Sequence, residues 1–222
     1  MPPGPGVTLR DVSNEFAFEM AASNVRFGAG VTREVGEDLR DLGVRRALVV
    51  TDAVVARLAP LTVTLQSLAD AGVEAIVYDR VRVEPTDLSF KDAIAFARDA
   101  QVDGYVAVGG GSVMDTAKAA NLYVTHPPAD FLDYVNAPIG KAMPVPGPVR
   151  PLIAIPTTAG TGSECQSFAL ISDPETHVKM ACGDPKAAAK IAILDPELTI
   201  SQPQRVTVCT GIDALSHALE TA

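Results

Sequence analysis

Tryptophan is absent, aromatic residues make up 5% of the 222 positions, and there are three cysteines. So few thiols, odd in number and without an export signal, exclude a disulfide-stapled secreted fold. They fit free thiols in a reducing cytoplasm, which is the expected setting. Basic residues are also scarce, 18 Lys and Arg against 27 Asp and Glu, for a net charge of -9. With no Lys/Arg cluster to override that balance, nucleic acid and an anionic membrane surface are excluded as partners. No apolar run is longer than a strand, so no membrane partner is expected either. Met1-Pro2-Pro3-Gly4-Pro5-Gly6 lacks both the basic and the apolar part of a secretory leader, and the region has too little arginine for a transit peptide. Residues 1–17 therefore read as a disordered tail.

The chain does have apolar content: 47% of its residues are hydrophobic, enough for a full core. Val31, Val35, Leu39 and Leu42 fall at helical spacing before Gly43. Ala47 to Asp52 reads as a buried strand ending in an acid, a second helix closes at Gly72, and Glu74 to Asp79 is the next strand. Thr86 is placed to cap a helix over Asp87 to Ala100. This alternation implies right-handed βαβ units and a parallel sheet covered on both faces, an α/β fold. His126 to Pro151, rich in Pro and Gly, reads as a long surface excursion. Gln166 to Ile171 and His177 to Ala181 predict an antiparallel hairpin appended to the sheet, with Cys165 and Cys182 brought near each other. Ile191 to Leu194 is a further strand, and from Pro203 the pattern is helical.

Three stretches carry chemistry. In Val106-Ala107-Val108-Gly109-Gly110-Gly111-Ser112-Val113-Met114-Asp115-Thr116-Ala117-Lys118 a strand passes through glycines into a helix. Glycine permits close approach of a ligand, and the first helical turn offers unpaired N–H groups and a positive dipole end, which suits a pyrophosphate. The same residues also make a tight turn that binds nothing. Pro156-Thr157-Thr158-Ala159-Gly160-Thr161-Gly162-Ser163-Glu164 places hydroxyls and glycines after another strand, on the same sheet edge. Asp52 suits either an adenosine ribose or a helix N-cap. Asp213 and His217, four apart on one helix face, could ligate a divalent metal or form a structural pair. Leu215, Ala218, Leu219 and Ala222 make an apolar stripe with nothing following to cover it. That stripe and the half-complete ligand set suggest part of a larger protein, open to homo-oligomerisation through the stripe.

In order and spacing, the two glycine-containing stretches and Gly211-Ile212-Asp213-Ala214-Leu215-Ser216-His217-Ala218-Leu219-Glu220 resemble the iron-containing alcohol dehydrogenases. Phe18-Glu19-Met20-Ala21, Val83-Glu84-Pro85-Thr86 and Phe131-Leu132-Asp133-Tyr134 are most similar to the branch that passes hydride from a hydroxy acid to a 2-oxo acid. The resemblance implies an α/β dinucleotide-binding domain over 18–199 and the start of an all-helical metal-binding domain over 200–222. It implies NAD as cofactor, with Asp52 on the ribose and Gly110, Gly111, Ser112 and Asp115 in the pyrophosphate loop. Thr157, Thr158 and Thr161 would form a second cofactor loop, and Lys179 would lie near the nicotinamide ribose. Asp213 and His217 would be the first two ligands of a divalent metal, Fe(II) or Zn(II). Glu84 and Phe168 depart from the pattern, standing where many members have asparagine. The implied substrates are small: a 4-hydroxybutyrate-type hydroxy acid with a 2-oxo acid, or, in a plain dehydrogenase, a primary alcohol and aldehyde. A chain that stops at Ala222 would be a cofactor-binding piece without turnover of its own.

Overall fold

Six strands lie parallel in one sheet, and their order determines where a ligand can sit. The computed structural model describes residues 23–173 and 178–220. The expected tail, the stretch from Phe18 to Ala21, His177 and Ala222 lie outside these described residues. The elements run β1 (Asn24–Phe27), α1 (Val35–Asp41), β2 (Arg46–Asp52), α2 (Ala59–Asp70), β3 (Glu74–Val81), α3 (Asp87–Ala100), β4 (Gly104–Gly109) and α4 (Gly111–Thr125). They continue as β5 (Leu152–Pro156), β6 (Phe168–Ser172), β7 (Lys179–Gly183), β8 (Ile191–Leu194) and α5 (Gln204–Glu220). The sheet order is β1-β8-β5-β4-β2-β3. From β2 the chain first moves outward to β3, then returns to the other side of β2 for β4. The order therefore reverses between β2 and β4, and ligands of open α/β sheets bind outside the carboxyl ends of such a pair.

Alternate residues of each strand feed opposite faces. On β4, Tyr105 and Ala107 pack with Leu48, Val50, Leu152 and Ala154 against α3 and α4. Val106 and Val108 pack with Val49, Ile153, Ile155 and Ile193 on the other face, towards α1 and α2. Burial on both faces is why these strands read as unbroken apolar runs. Local signals end the helices as expected. Gly43 (φ 80°) and Gly72 (φ 74°) take the left-handed conformation after α1 and α2, and Thr86 forms a reciprocal capping box with Ser89 at the start of α3.

Several expectations change in detail. Val31 to Leu42 is not one helix; Val31–Glu34 is a 3₁₀ turn leading into α1. The buried Asp195 carboxylate takes the N–H groups of Gly30 (3.0 Å) and Thr32 (3.2 Å) and the Thr32 hydroxyl (2.7 Å), pinning that first turn. Burial works to raise the Asp195 pKa. The hydrogen bonds from Gly30, Thr32 and Glu197 outweigh it and hold the carboxyl below its usual value. The hairpin of β6 and β7 is a separate two-stranded sheet beside α4, not further strands of the main sheet. Cys182 pairs in register with Ala169 while Cys165 lies outside β6; all three cysteines are unbridged. The Pro/Gly-rich stretch after α4 is not wholly superficial, since Tyr134, Val135, Val145 and Val149 are buried with the hairpin's Ala169 and Ile171. None of the described helices is long and apolar enough to cross a membrane.

Candidate functional site

The crevice at the reversal point is built from strand ends tied to one another. The buried Thr51 hydroxyl on β2 donates to the Val108 carbonyl on β4 at 2.8 Å. Just past β5, the Thr157 N–H donates to the Gly109 carbonyl at 2.9 Å. The three strand ends thus hold the glycine turn and the threonine loop side by side. A Cβ on Gly111 would stand 3.1 Å from Ser163 Oγ and 3.2 Å from Thr161. The two loops approach closely at that point, and a side chain there would press on both hydroxyl residues.

Two adjoining cavities, of about 550 Å³ and about 290 Å³, share Gly111 and Ser112. The larger is mostly apolar. Asp52, Val54, Leu58, Val83, Gly110 and Thr158 are among its lining residues, with Val206 of α5. The smaller is polar and brings together Glu84, Asp115, Thr161, Lys179, Asp213 and His217. All eleven expected site residues line one cavity or the other, Asp115 and Thr157 being themselves buried.

Individual roles are more constrained than the motifs suggest. Asp52 Oδ1 accepts the N–H groups of Val54 (2.8 Å) and Val55 (3.0 Å), so one oxygen caps the turn that follows β2. The carboxylate nevertheless lines the larger cavity. Asp115, 5% exposed, is committed to the protein: Oδ2 accepts the Leu170 N–H at 3.1 Å and Oδ1 lies 3.5 Å from the ammonium of Lys118. Lys118 is 1% exposed and also donates to the Phe168 carbonyl at 2.9 Å. Burial raises the Asp115 pKa and lowers that of Lys118, while the contact between them opposes both shifts. This pair fastens the hairpin to α4 and leaves Asp115 only a share in the cavity wall.

Asp213 Oδ1 and His217 Nε2 are 3.8 Å apart on α5 and face the polar cavity. Ligand bonds of about 2.0–2.2 Å at a tetrahedral angle separate two donors by about 3.4 Å, so carboxylate and imidazole are spaced for one ion. Their chemistry suits a borderline divalent metal. No group of three or more His, Cys, Asp or Glu is gathered among the described residues, so the pair alone does not make up such a site. The register of α5 over the crevice is set by Gln202, whose amide donates to the Thr157 carbonyl at 2.7 Å, and by Gly160, whose missing side chain admits the Thr210 backbone. Gln202, Arg82 and Val83 line the larger cavity. Gln202 and Arg82 lie in no glycine-rich or acidic motif, and a single sequence offers no signal for them beyond proximity to strand ends, whereas Val83 falls in the Val83-Glu84-Pro85-Thr86 stretch.

The family model described as "Iron-containing alcohol dehydrogenase" matches residues 22–196. The mitochondrial hydroxyacid-oxoacid transhydrogenase of Homo sapiens is 48% identical over 217 residues, covering 98% of this chain and 46% of that protein. That of Xenopus tropicalis is 51% identical over 207 residues, covering 93% and 45%. The chain therefore spans about half the length of the curated relatives it matches. A 1,3-propanediol oxidoreductase superposes with a TM-score of 0.83 at 33% identity, covering 91% of this chain and 52% of that one. A sulfoacetaldehyde reductase from Bifidobacterium kashiwanohense, in complex with NAD+, superposes at 0.79 with 29% identity, covering 92% and 53%. These relatives overturn the cytoplasmic expectation, because the matched transhydrogenases are named mitochondrial, from Homo sapiens to Caenorhabditis elegans. Unbridged thiols do not distinguish one reducing compartment from another.

Proposed function

The chain belongs to the iron-containing alcohol dehydrogenase family, and from that premise we propose that it is the cofactor-binding part of a hydroxyacid-oxoacid transhydrogenase. In this reading a hydroxy acid of the 4-hydroxybutyrate type gives up a hydride and a 2-oxo acid receives it, with a nicotinamide cofactor bound between them. The observation that carries the reading is the pair of cavities joined at Gly111 and Ser112. An extended dinucleotide fits that shape: adenosine in the larger space, pyrophosphate over the glycine turn, nicotinamide in the polar space beside Asp213 and His217.

Each residue's part follows from its position. The first-turn N–H groups of α4 and the Ser112 hydroxyl bind the pyrophosphate. Asp52, with Oδ1 engaged by the turn, offers Oδ2 to the ribose hydroxyls and would repel a 2′-phosphate, favouring NAD over NADP. Thr158 and Thr161 flank the dinucleotide across the turn, and Lys179 lies by the nicotinamide ribose. Asp213 and His217 would hold a divalent metal, Fe(II) or Zn(II), whose chemistry there is Lewis-acid polarisation of the substrate oxygen. We assign residues 200–220 to the start of a helical metal-binding domain, and 23–199 to the dinucleotide-binding one.

The test is oxidation of 4-hydroxybutyrate with 2-oxoglutarate as acceptor, followed by product analysis in the full natural polypeptide. Transfer of label from the carbinol carbon to the new hydroxy acid supports the reading. Turnover with primary alcohols and free NAD+, and none between the two acids, places the protein among the plain dehydrogenases.

A further inference from the structure

Glu84 occupies the loop between β3 and α3 with φ 53°. That is the left-handed region, where side-chain-bearing residues other than Asn and Asp are uncommon. The loop is stitched down on two sides. The Glu84 N–H donates to Ser112 Oγ at 3.3 Å, at the first turn of α4. The carbonyl of Pro85 accepts the Ser172 N–H at 2.8 Å, at the end of β6. Between these anchors the Glu84 carboxylate lies 3.4 Å from Nζ of Lys179 on β7. Both side chains line the polar cavity, while the preceding Arg82 and Val83 line the apolar one. The ion pair therefore joins two walls of the groove beside the glycine turn.

We propose that Glu84 is a positioning residue that holds the Lys179 ammonium across the polar cavity and thereby retains the nicotinamide cofactor between the two half-reactions. This rests on the transhydrogenase reading above. Strained backbone persists where its surroundings over-determine it, and it clusters at functional sites. Asparagine suits this backbone better but has no charge to offer Lys179. Fold stability does not account for the choice, because the side chains are 66% and 61% exposed and such pairs contribute little to folding. A dinucleotide bound beneath the pair displaces water and strengthens it. When the same cofactor accepts hydride from one acid and returns it to another, turnover never requires cofactor release, so slow release favours flux.

The test compares Glu84→Asn, Glu84→Gln and Glu84→Asp in the full natural polypeptide, with NADH release followed by stopped-flow fluorescence during an NAD+ chase. Asn accommodates the backbone and Gln keeps the length; neither carries the charge. Release about two- to fivefold faster in both, the range an exposed pair supports, is the expected result, with Asp closer to wild type. Added salt accelerates release more in wild type than in Asn and Gln. In a Lys179→Met background, Glu84→Asn has no further effect. Hydride exchange between the two acids without added cofactor declines after dilution in both neutral variants. Unchanged release in both neutral variants, or additive effects of the Glu84 and Lys179 changes, would overturn the proposal. Should wild type fail to exchange hydride between the acids, the transhydrogenase reading fails, and the release rates still decide the role of Glu84.

Discussion

Asp195 shows how much one buried carboxylate organises. It ties the end of β8 to the turn after β1 through backbone and hydroxyl donors. Replacing it with Asn leaves buried N–H groups short of a charged acceptor and is expected to lower unfolding free energy by about 1–3 kcal/mol at pH 7. Because the folded carboxyl is held below its usual pKa, its stabilisation is present above the unfolded value, about 3.9, and is lost as pH falls through the folded value. Urea titrations at pH 7 and below pH 4 should therefore show wild type and Asp195→Asn converging in acid. A constant gap would refute the assignment. Lys118 makes the complementary case. Lys118→Met strands the Asp115 carboxylate in the interior and is expected to cost about 3–5 kcal/mol, with part regained when Asp115 is also made apolar. Loss of less than about 1 kcal/mol in Lys118→Met, by the same titrations, would show that the pair is not holding the hairpin.

At the scale of elements, the strongest local signals were also the readable ones. Thr86 and Ser89 cap α3 reciprocally, and Thr86→Ala is expected to lower the thermal unfolding midpoint by the equivalent of about 1 kcal/mol; an unchanged midpoint would mean the cap is redundant. Central strands could be read from sequence because burial on both faces leaves no polar residue to interrupt them. β1 could not: Asn24-Val25-Arg26-Phe27 is an edge strand with Val25 and Phe27 exposed, and Arg26 turned to Asp38 at 2.5 Å. The glycine and threonine loops were legible because close approach demands small residues. Arg82 and Gln202 were not, because they reach the site by tertiary placement of ordinary loops; Glu84 stood out only as a departure from the family pattern, and its pairing with Lys179 needed the structure. Asp52 was legible as an acid at a strand end; in the structure its Oδ1 caps the turn after β2 and the residue lines the larger cavity.

For the whole molecule, the proposed cofactor and metal sites differ in completeness. The two loops that flank the crevice lie side by side, whereas α5 brings one carboxylate and one imidazole, and no group of three or more His, Cys, Asp or Glu is gathered among the described residues. Titration of this 222-residue chain is expected to show NADH binding with no tight binding of Fe(II) or Zn(II). Tight metal binding that His217→Ala abolishes would overturn that expectation. α5 has no buried residue and exposes Ile212, Leu215 and Leu219.

The pairing of β1 with β8 also bears on how the chain is made. Asn24 aligns with Ile191, and Gly30 is held by Asp195, 165 residues further on. During synthesis the first strand emerges early and has no neighbour until β8 arrives. Meanwhile β2, β3 and β4 are able to pair with one another. Closing so long a loop late makes this edge the slowest part of the sheet to assemble. Until then the nascent chain carries the exposed flank of β5 as an unprotected template, a window in which chaperone engagement has most to act on.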